Sequence, residues 1–219
     1  MTTEHLDDFY RQVARVALSV ADKHGFVLGG GLAWAAHGLV QRPTEDVDLF
    51  ADTDGAAAGA ATEVRDALEH AGFVVTDEDP SADLAGLFSG FALDMKDFLV
   101  SRGARQLRLT LGRLDRHRSP VVMDLGPVMH LQDLVASKTA ALVNRREVRD
   151  YIDVAAALDR YPVSDLLRLA REFDPAIEPD DVAAAGRYLD RLPDHRFARY
   201  GRTPEQVRQI RARLADWPR

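Results

Sequence analysis

The chain has 219 residues, 46% of them hydrophobic, enough to bury a sizeable core and to fold as one domain, or one domain with a helical extension. No apolar run approaches the ~20 residues a bilayer-spanning helix needs, and there is no cysteine, which excludes disulfides, thiolate metal sites and cysteine nucleophiles. The net charge of −7 is unevenly spread: residues 1–101 carry 18 acidic and 6 basic side chains, residues 102–219 carry 17 acidic and 22 basic. An acidic half suits hard cations and an arginine-rich half suits phosphates, although solvated charge explains many such splits.

In chain order, Phe9, Val13, Val16 and Val20 recur at helical spacing, predicting an amphipathic helix from Leu6 to His24 that Gly25 stops. Phe26-Val27-Leu28 reads as a short buried strand, broken by Gly29, Gly30 and Gly31, and Leu32 to Leu39 as a short helix. Asp46-Val47-Asp48-Leu49-Phe50 alternates polar and apolar residues as a half-buried strand does. A helix over Ala56–Ala71 and a strand at Phe73–Val75 follow, then strands at Ala92–Val100, Gln106–Leu111 and Val121–Met123. Past Pro127 the pattern becomes helical: Leu131–Asn144, Val148–Tyr161, Val163–Phe173, Asp180–Leu192 and Pro204–Trp217, punctuated by prolines. The expected fold class is α/β, a small mixed-sheet core over residues 1–126 followed by a helical C-terminal region over 127–219.

Asp46 and Asp48 lie two apart on a strand, so both carboxylates project to one face. Such a pair can hold Mg²⁺, which takes a few carboxylates and completes its shell with substrate phosphate oxygens and water. Alone, a D-x-D pair is an ordinary solvated strand edge, and a glycine triplet an ordinary turn. Together they make V-L-G-G-G-x(14)-D-V-D-L-F, in which side-chain-free backbone at Gly29 and Gly30 can approach a phosphate. On the helix from Leu131, the period puts Lys138 in the middle of the apolar face of Leu131, Leu134, Val135 and Leu142. There it either snorkels to water or neutralises a triphosphate. If it binds phosphate, Lys138→Met should leave stability nearly unchanged while NTP binding weakens, whereas unchanged affinity with lowered thermal stability would favour snorkelling. On the next helix Asp150 borders the apolar face, whereas Asp153 is expected further toward the polar side. The histidines show no i, i+4 zinc spacing, and no serine sits in a nucleophile elbow.

The glycine–D-x-D spacing is that of the polymerase-beta nucleotidyltransferase signature. More specifically, FVLGGGLAWAAHGLVQRPTEDVDLF and GPVMHLQDLVASKTAALVNRREVRDYIDVAAAL, in that order, resemble the AbiEii/AbiGii-type nucleotidyltransferase toxins, which include the MenT toxins. The resemblance implies an enzyme that moves NMP from an NTP to an acceptor hydroxyl, the 3′ end of tRNA, with a cognate antitoxin as partner and Mg²⁺ or Mn²⁺ as cofactor; the lack of a long apolar run and the acidic, polar N-terminal residues make a cytoplasmic location the expectation. It assigns Asp46 and Asp48 to the metal, Gly29, Gly30 and Thr44 to the nucleotide, and Lys138 and Asp150 to the remainder of the active site. Arg42 falls in the family's R-x-[ST]-x-D-x-D stretch. The third carboxylate common in polymerase-beta-type enzymes has no obvious counterpart: the register puts Thr110 there, and Asp124 is the nearest acidic alternative. A small-molecule nucleotidyltransferase and a non-catalytic nucleotide- or antitoxin-binding module are the competing readings. For an RNA acceptor the basic half supplies Arg102, Arg105, Arg108, Arg113, Arg116 and Arg118 against the single acid Asp115.

Overall fold

The computed structural model describes residues 8–39, 44, 46–78 and 95–219. Arg42 and the start of the expected strand from Ala92 lie outside the described residues. No described helix is long and apolar enough to cross a membrane. The chain divides into two compact units, one formed by the described residues up to Gly38 and from Thr44 to His130, the other by Leu39 and Leu131–Arg219.

The first unit is a seven-stranded mixed sheet with helices. Helix α1 (Asp8–Ala21) buries Phe9 and Val13 of the expected periodic set together with Ala14, Ala17 and Leu18, leaves Val16 and Val20 partly covered, and ends in a 3₁₀ turn at Asp22–His24. Strand β1 (Val27–Leu28) leads into α2 (Gly30–Ala36), then β2 (Asp46–Ala51), α3 (Ala56–His70) and β3 (Val74–Glu78). The long strands β4 (Met95–Arg102) and β5 (Arg105–Arg113) turn at Gly103, and β6 (Val121–Met123) and β7 (Gly126–Val128) form a short hairpin. The spatial order is β3-β4-β5-β2-β1-β7-β6. Neighbours pair antiparallel except β2 with β5 and β1 with β7, which run parallel. Strand β7 was not expected from the sequence: a three-residue run opening on Gly-Pro carries too little alternation to register.

Period-two alternation sorts the residues of β2, β5 and β4. Val47, Leu49, Ala51, Leu107, Leu109, Leu111, Phe98 and Val100 are buried, and α1 and α3 pack on these strands. The intervening residues, Asp46, Asp48, Arg108, Thr110 and Asp97 among them, share the opposite face and are only partly covered or exposed.

The second unit is helical: α4 (Leu131–Arg145), α5 (Val148–Ala157), α6 (Val163–Phe173), α7 (Pro179–Arg191), the short α8 (His195–Ala198) and α9 (Pro204–Arg213). Helix α4 packs against α5, α6 and α7. Two large side chains of this core pair their polar tips: Tyr151 donates to the Ala185 carbonyl at 2.7 Å and the Trp217 indole to Val182 at 2.9 Å. Pro204 at the first turn of α9 follows a reciprocal cap, Thr203 accepting from the Gln206 amide and Gln206 accepting from the Thr203 amide.

Candidate active site

The glycine turn and the aspartate pair meet through backbone pairing. Val27 and Leu28 run antiparallel to Phe50 and Leu49, so the residue after β1 arrives beside Asp48, and the Gly29 amide donates to the Asp48 carbonyl at 2.8 Å. Gly30 adopts φ +59°, a left-handed conformation that costs an L-residue roughly 1–2 kcal/mol. Space is the stronger constraint, because a Cβ on Gly30 would lie 1.7 Å from Oδ2 of Asp48. The Asp48 carboxylate therefore rests against the bare Cα of Gly30. Gly29 is similarly confined, its absent Cβ pointing at the Phe50 ring 2.4 Å away. Gly30→Ala is accordingly expected to displace the Asp48 carboxylate, to abolish the transfer activity that the resemblance implies, and to lower stability by at least the roughly 1–2 kcal/mol of backbone strain. A labelled-NTP transfer assay beside a thermal melt checks it. Transfer at the parent rate would show that the carboxylate's position against the turn is immaterial.

Asp46, one pleat earlier, is oriented from its own side. Thr44 Oγ1 lies 3.3 Å from both the carbonyl and Oδ1 of Asp46, and can donate to either. The pair thus presents two oxygen-rich side chains on one strand face, half-buried and steered by Thr44 and by the turn. Among the described residues no three His, Cys, Asp or Glu gather closely enough to hold a metal ion by themselves. Two carboxylates without a closed cage match the way Mg²⁺ is bound when phosphate oxygens and water complete its octahedron. The donor set fits such an ion.

In the third-carboxylate position, Thr110 stands directly opposite Asp48 on β5. Asp124 sits in the β6–β7 turn, with β1 and β7 between it and β2, and its carbonyl accepts from Arg15. A residue missed from the sequence is Asp97 on β4, which faces Thr110 in register and accepts its hydroxyl at 2.6 Å. The alternation of Asp97, Leu99 and Ser101 against Phe98 and Val100 was the signal available for it.

Within the second unit, Lys138 is neither snorkelling nor surrounded only by apolar groups. It is buried, and its Nζ pairs with Oδ2 of Asp153 at 3.0 Å. The expectation that Asp153 lies toward a polar side is corrected: α5 is buried on nearly every side, and Asp150 and Asp153 are both fully inaccessible. Asp150 receives a two-pronged contact from Arg145, Nε to Oδ2 at 2.9 Å and Nη2 to Oδ1 at 2.8 Å. That hydrogen bond, working against the cost of burial, raises the Arg145 pKa above its ordinary value.

The arginines of residues 102–118 are mostly engaged within the fold. Arg102 stacks on Phe73 and donates to Gly72 and Gln12, and Arg105 lies over Phe9. Arg113 pairs with Asp54 and Asp115, and Arg116, its side chain only 8% exposed, pairs with Asp52 and donates to the Gly25 carbonyl. Arg108, opposite Asp46 in register, pairs with Glu78 at 2.7 Å while remaining 58% exposed. That hydrogen bond, opposed by partial desolvation, raises the Arg108 pKa, with Asp97 and Asp46 adding to the effect.

Comparison with known proteins identifies the family of the chain. None of the curated proteins matches in sequence. Several solved structures share the fold: JHP933 from Helicobacter pylori, at 14% identity and TM-score 0.53 over 95% of this chain and 88% of the other; a nucleotidyltransferase described as putative, also from H. pylori, at 14% identity and TM-score 0.56 over 95% and 91%; and the nucleotidyltransferase toxin MenT4 from Mycobacterium tuberculosis, at 17% identity and TM-score 0.58 over 94% and 82%. The family model for the AbiEii nucleotidyl transferase toxin of type IV toxin–antitoxin systems matches residues 13–213, nearly the whole length, so the chain belongs to the AbiEii nucleotidyltransferase toxin family.

Proposed function

We propose that the protein transfers NMP from an NTP to an acceptor hydroxyl at the 3′ end of tRNA, releasing pyrophosphate, as the toxin of a cytoplasmic toxin–antitoxin pair. The observation that carries this reading is the Asp48 carboxylate lying against the bare Gly30 Cα, with Asp46 beside it on the same strand face. Asp46 and Asp48 would hold Mg²⁺ or Mn²⁺, which supplies charge neutralisation for the transferring phosphoryl group. Gly29, Gly30 and Thr44 serve the nucleotide, and Lys138 and Asp150 complete the catalytic set on the strength of the family resemblance. The work is divided between the core, residues 1–126, and the helical region, 127–219. A cognate antitoxin is the expected protein partner.

The test is incubation with each α-labelled NTP, Mg²⁺ and either total tRNA or a small-molecule extract. Label on RNA supports the reading, and label only on small molecules replaces it with the small-molecule enzyme. No transfer under any condition, with nucleotide still bound, leaves a binding module. One observation favours the small-molecule alternative: the arginines expected to grip RNA are largely spent on internal partners. Salt decides between them. Each phosphate neutralised by the protein adds roughly 0.7 to the log–log salt slope for single-stranded nucleic acid and roughly 0.9 for duplex. An RNA acceptor should therefore show a KM rising steeply between low and moderate salt, and a flat KM would exclude it. Arg108→Ser is the better probe for this purpose than changes at Arg116, whose guanidinium is buried against Asp52.

A further inference from the structure

The registers of four adjacent strands lay out one row on the polar face of the sheet. Asp48 on β2 stands opposite Thr110 on β5, Thr110 opposite Asp97 on β4, and Asp97 opposite Glu78 on β3. Directly opposed residues share a face, so this row reads carboxylate, hydroxyl, carboxylate, carboxylate. With strands about 4.8 Å apart, Asp97 lies two strands, roughly 10 Å, from Asp48, too far to share an ion with it. Thr110 bridges the gap, one strand from Asp48 and donating to Asp97 Oδ1 at 2.6 Å, within the range of a charge-assisted hydroxyl–carboxylate hydrogen bond. The arrangement is polarised: the hydroxyl proton is committed to Asp97, which leaves the Thr110 oxygen lone pairs available to another donor.

Resting on the nucleotidyltransferase reading above, we propose that Thr110 and Asp97 activate the acceptor hydroxyl. The acceptor donates its proton to Thr110 Oγ while the Thr110 proton passes to Asp97 Oδ1. The acceptor oxygen forms its bond to the α-phosphorus as the bond from that phosphorus to the pyrophosphate oxygen breaks. Pyrophosphate leaves with that electron pair, and Asp97 returns the proton to solvent, resetting the hydrogen bond. Thr110 is the group that touches the acceptor; Asp97 acts through it. A carboxylate in Thr110's place would add a third negative charge beside Asp46 and Asp48, whereas a hydroxyl conducts a proton without adding charge.

The ordinary alternative is a cross-strand pair worth roughly 0.2–1 kcal/mol to the sheet and nothing to the reaction. Three variants separate them. Asp97→Asn can still accept the Thr110 hydrogen bond but is far too weak a base, and Thr110→Val removes the hydroxyl while keeping the shape. Both should lower kcat by about 10²–10⁴, the usual contribution of general base catalysis, with NTP affinity measured by calorimetry unchanged. Thr110→Ser restores the hydroxyl and should recover at least a tenth of the parent kcat. Parent-level kcat in Asp97→Asn or Thr110→Val, or a loss that follows weakened NTP binding or lowered Tm, overturns the pair. Asp48→Asn run alongside distinguishes the two readings: if it is inactive while the Thr110 and Asp97 variants turn over fully, only the pair falls. If Asp48→Asn is as active as the parent, Asp48 leaves the catalytic set and the pair placed beside it falls; if the parent transfers nothing, the nucleotidyltransferase reading falls and the pair with it.

Discussion

Replacing Asp48 with Asn should leave the fold intact and reduce NMP transfer by at least ~10², because it removes one anionic ligand where electrostatic stabilisation of the transferring phosphoryl group is concentrated. The side chain is only half-buried and the amide is the same size, so the contact against Gly30 persists and Tm should barely move. A labelled-NTP assay with a parallel melt reads both quantities. Full activity in this variant would remove Asp48 from the catalytic set.

The second large effect concerns Lys138, where the structure reverses the expectation of a stability-neutral Lys138→Met. The lysine and Asp153 form an ion pair that is almost wholly buried. Removing the cation leaves Asp153 inaccessible and unneutralised by it, a situation that typically costs about 3–5 kcal/mol. At roughly 2–4 °C per kcal/mol for a chain of this size, Tm should fall by about 10 °C. Substituting both partners with apolar residues, Lys138→Met with Asp153→Leu, should recover most of the loss, since well-packed apolar replacements of buried pairs are often neutral. The double variant also isolates function. If Lys138 contacts phosphate, NTP affinity stays weak after stability returns; affinity restored along with Tm would make the lysine a purely structural cation.

What the sequence made legible follows from the range of its signals. Asp46 to Phe50 was readable because period-two alternation is local, and Val163–Phe173 because helical spacing and a proline boundary agree over eleven residues. Neither Asp97 nor the Asp153 pairing could be read in this way. Asp97 gains its place beside Asp48 through two registers, the local β4–β5 hairpin and the ladder from β5 to the distant β2, and no single short window of residues contains both. Asp153 defeated the helical wheel because α5 has no solvated side, so an amphipathic template assigned an outward direction that the packing does not offer. The arginine-rich segment misled in the same manner: composition records charge but not the carboxylates and rings that engage it after folding.

Strand β1 is only two residues long, joined to β2 by the pairs at Val27 and Leu28 and to β7 through Leu28 alone. On its other side β2 is laddered to β5 over six residue pairs, and β5 to β4 over eight. Opening of a native protein proceeds through whichever ladder has least to lose. By ladder length the glycine turn at β1 is thus held to β2 by fewer pairs than hold β2, β5 and β4 to one another, and the burial of Val27 and Leu28 supplies the rest of its anchoring. The two halves of the proposed nucleotide site therefore owe their positions to different forces: the aspartates to a six-pair ladder with β5, and the turn to two strand pairs and the burial of the residues that lead into it.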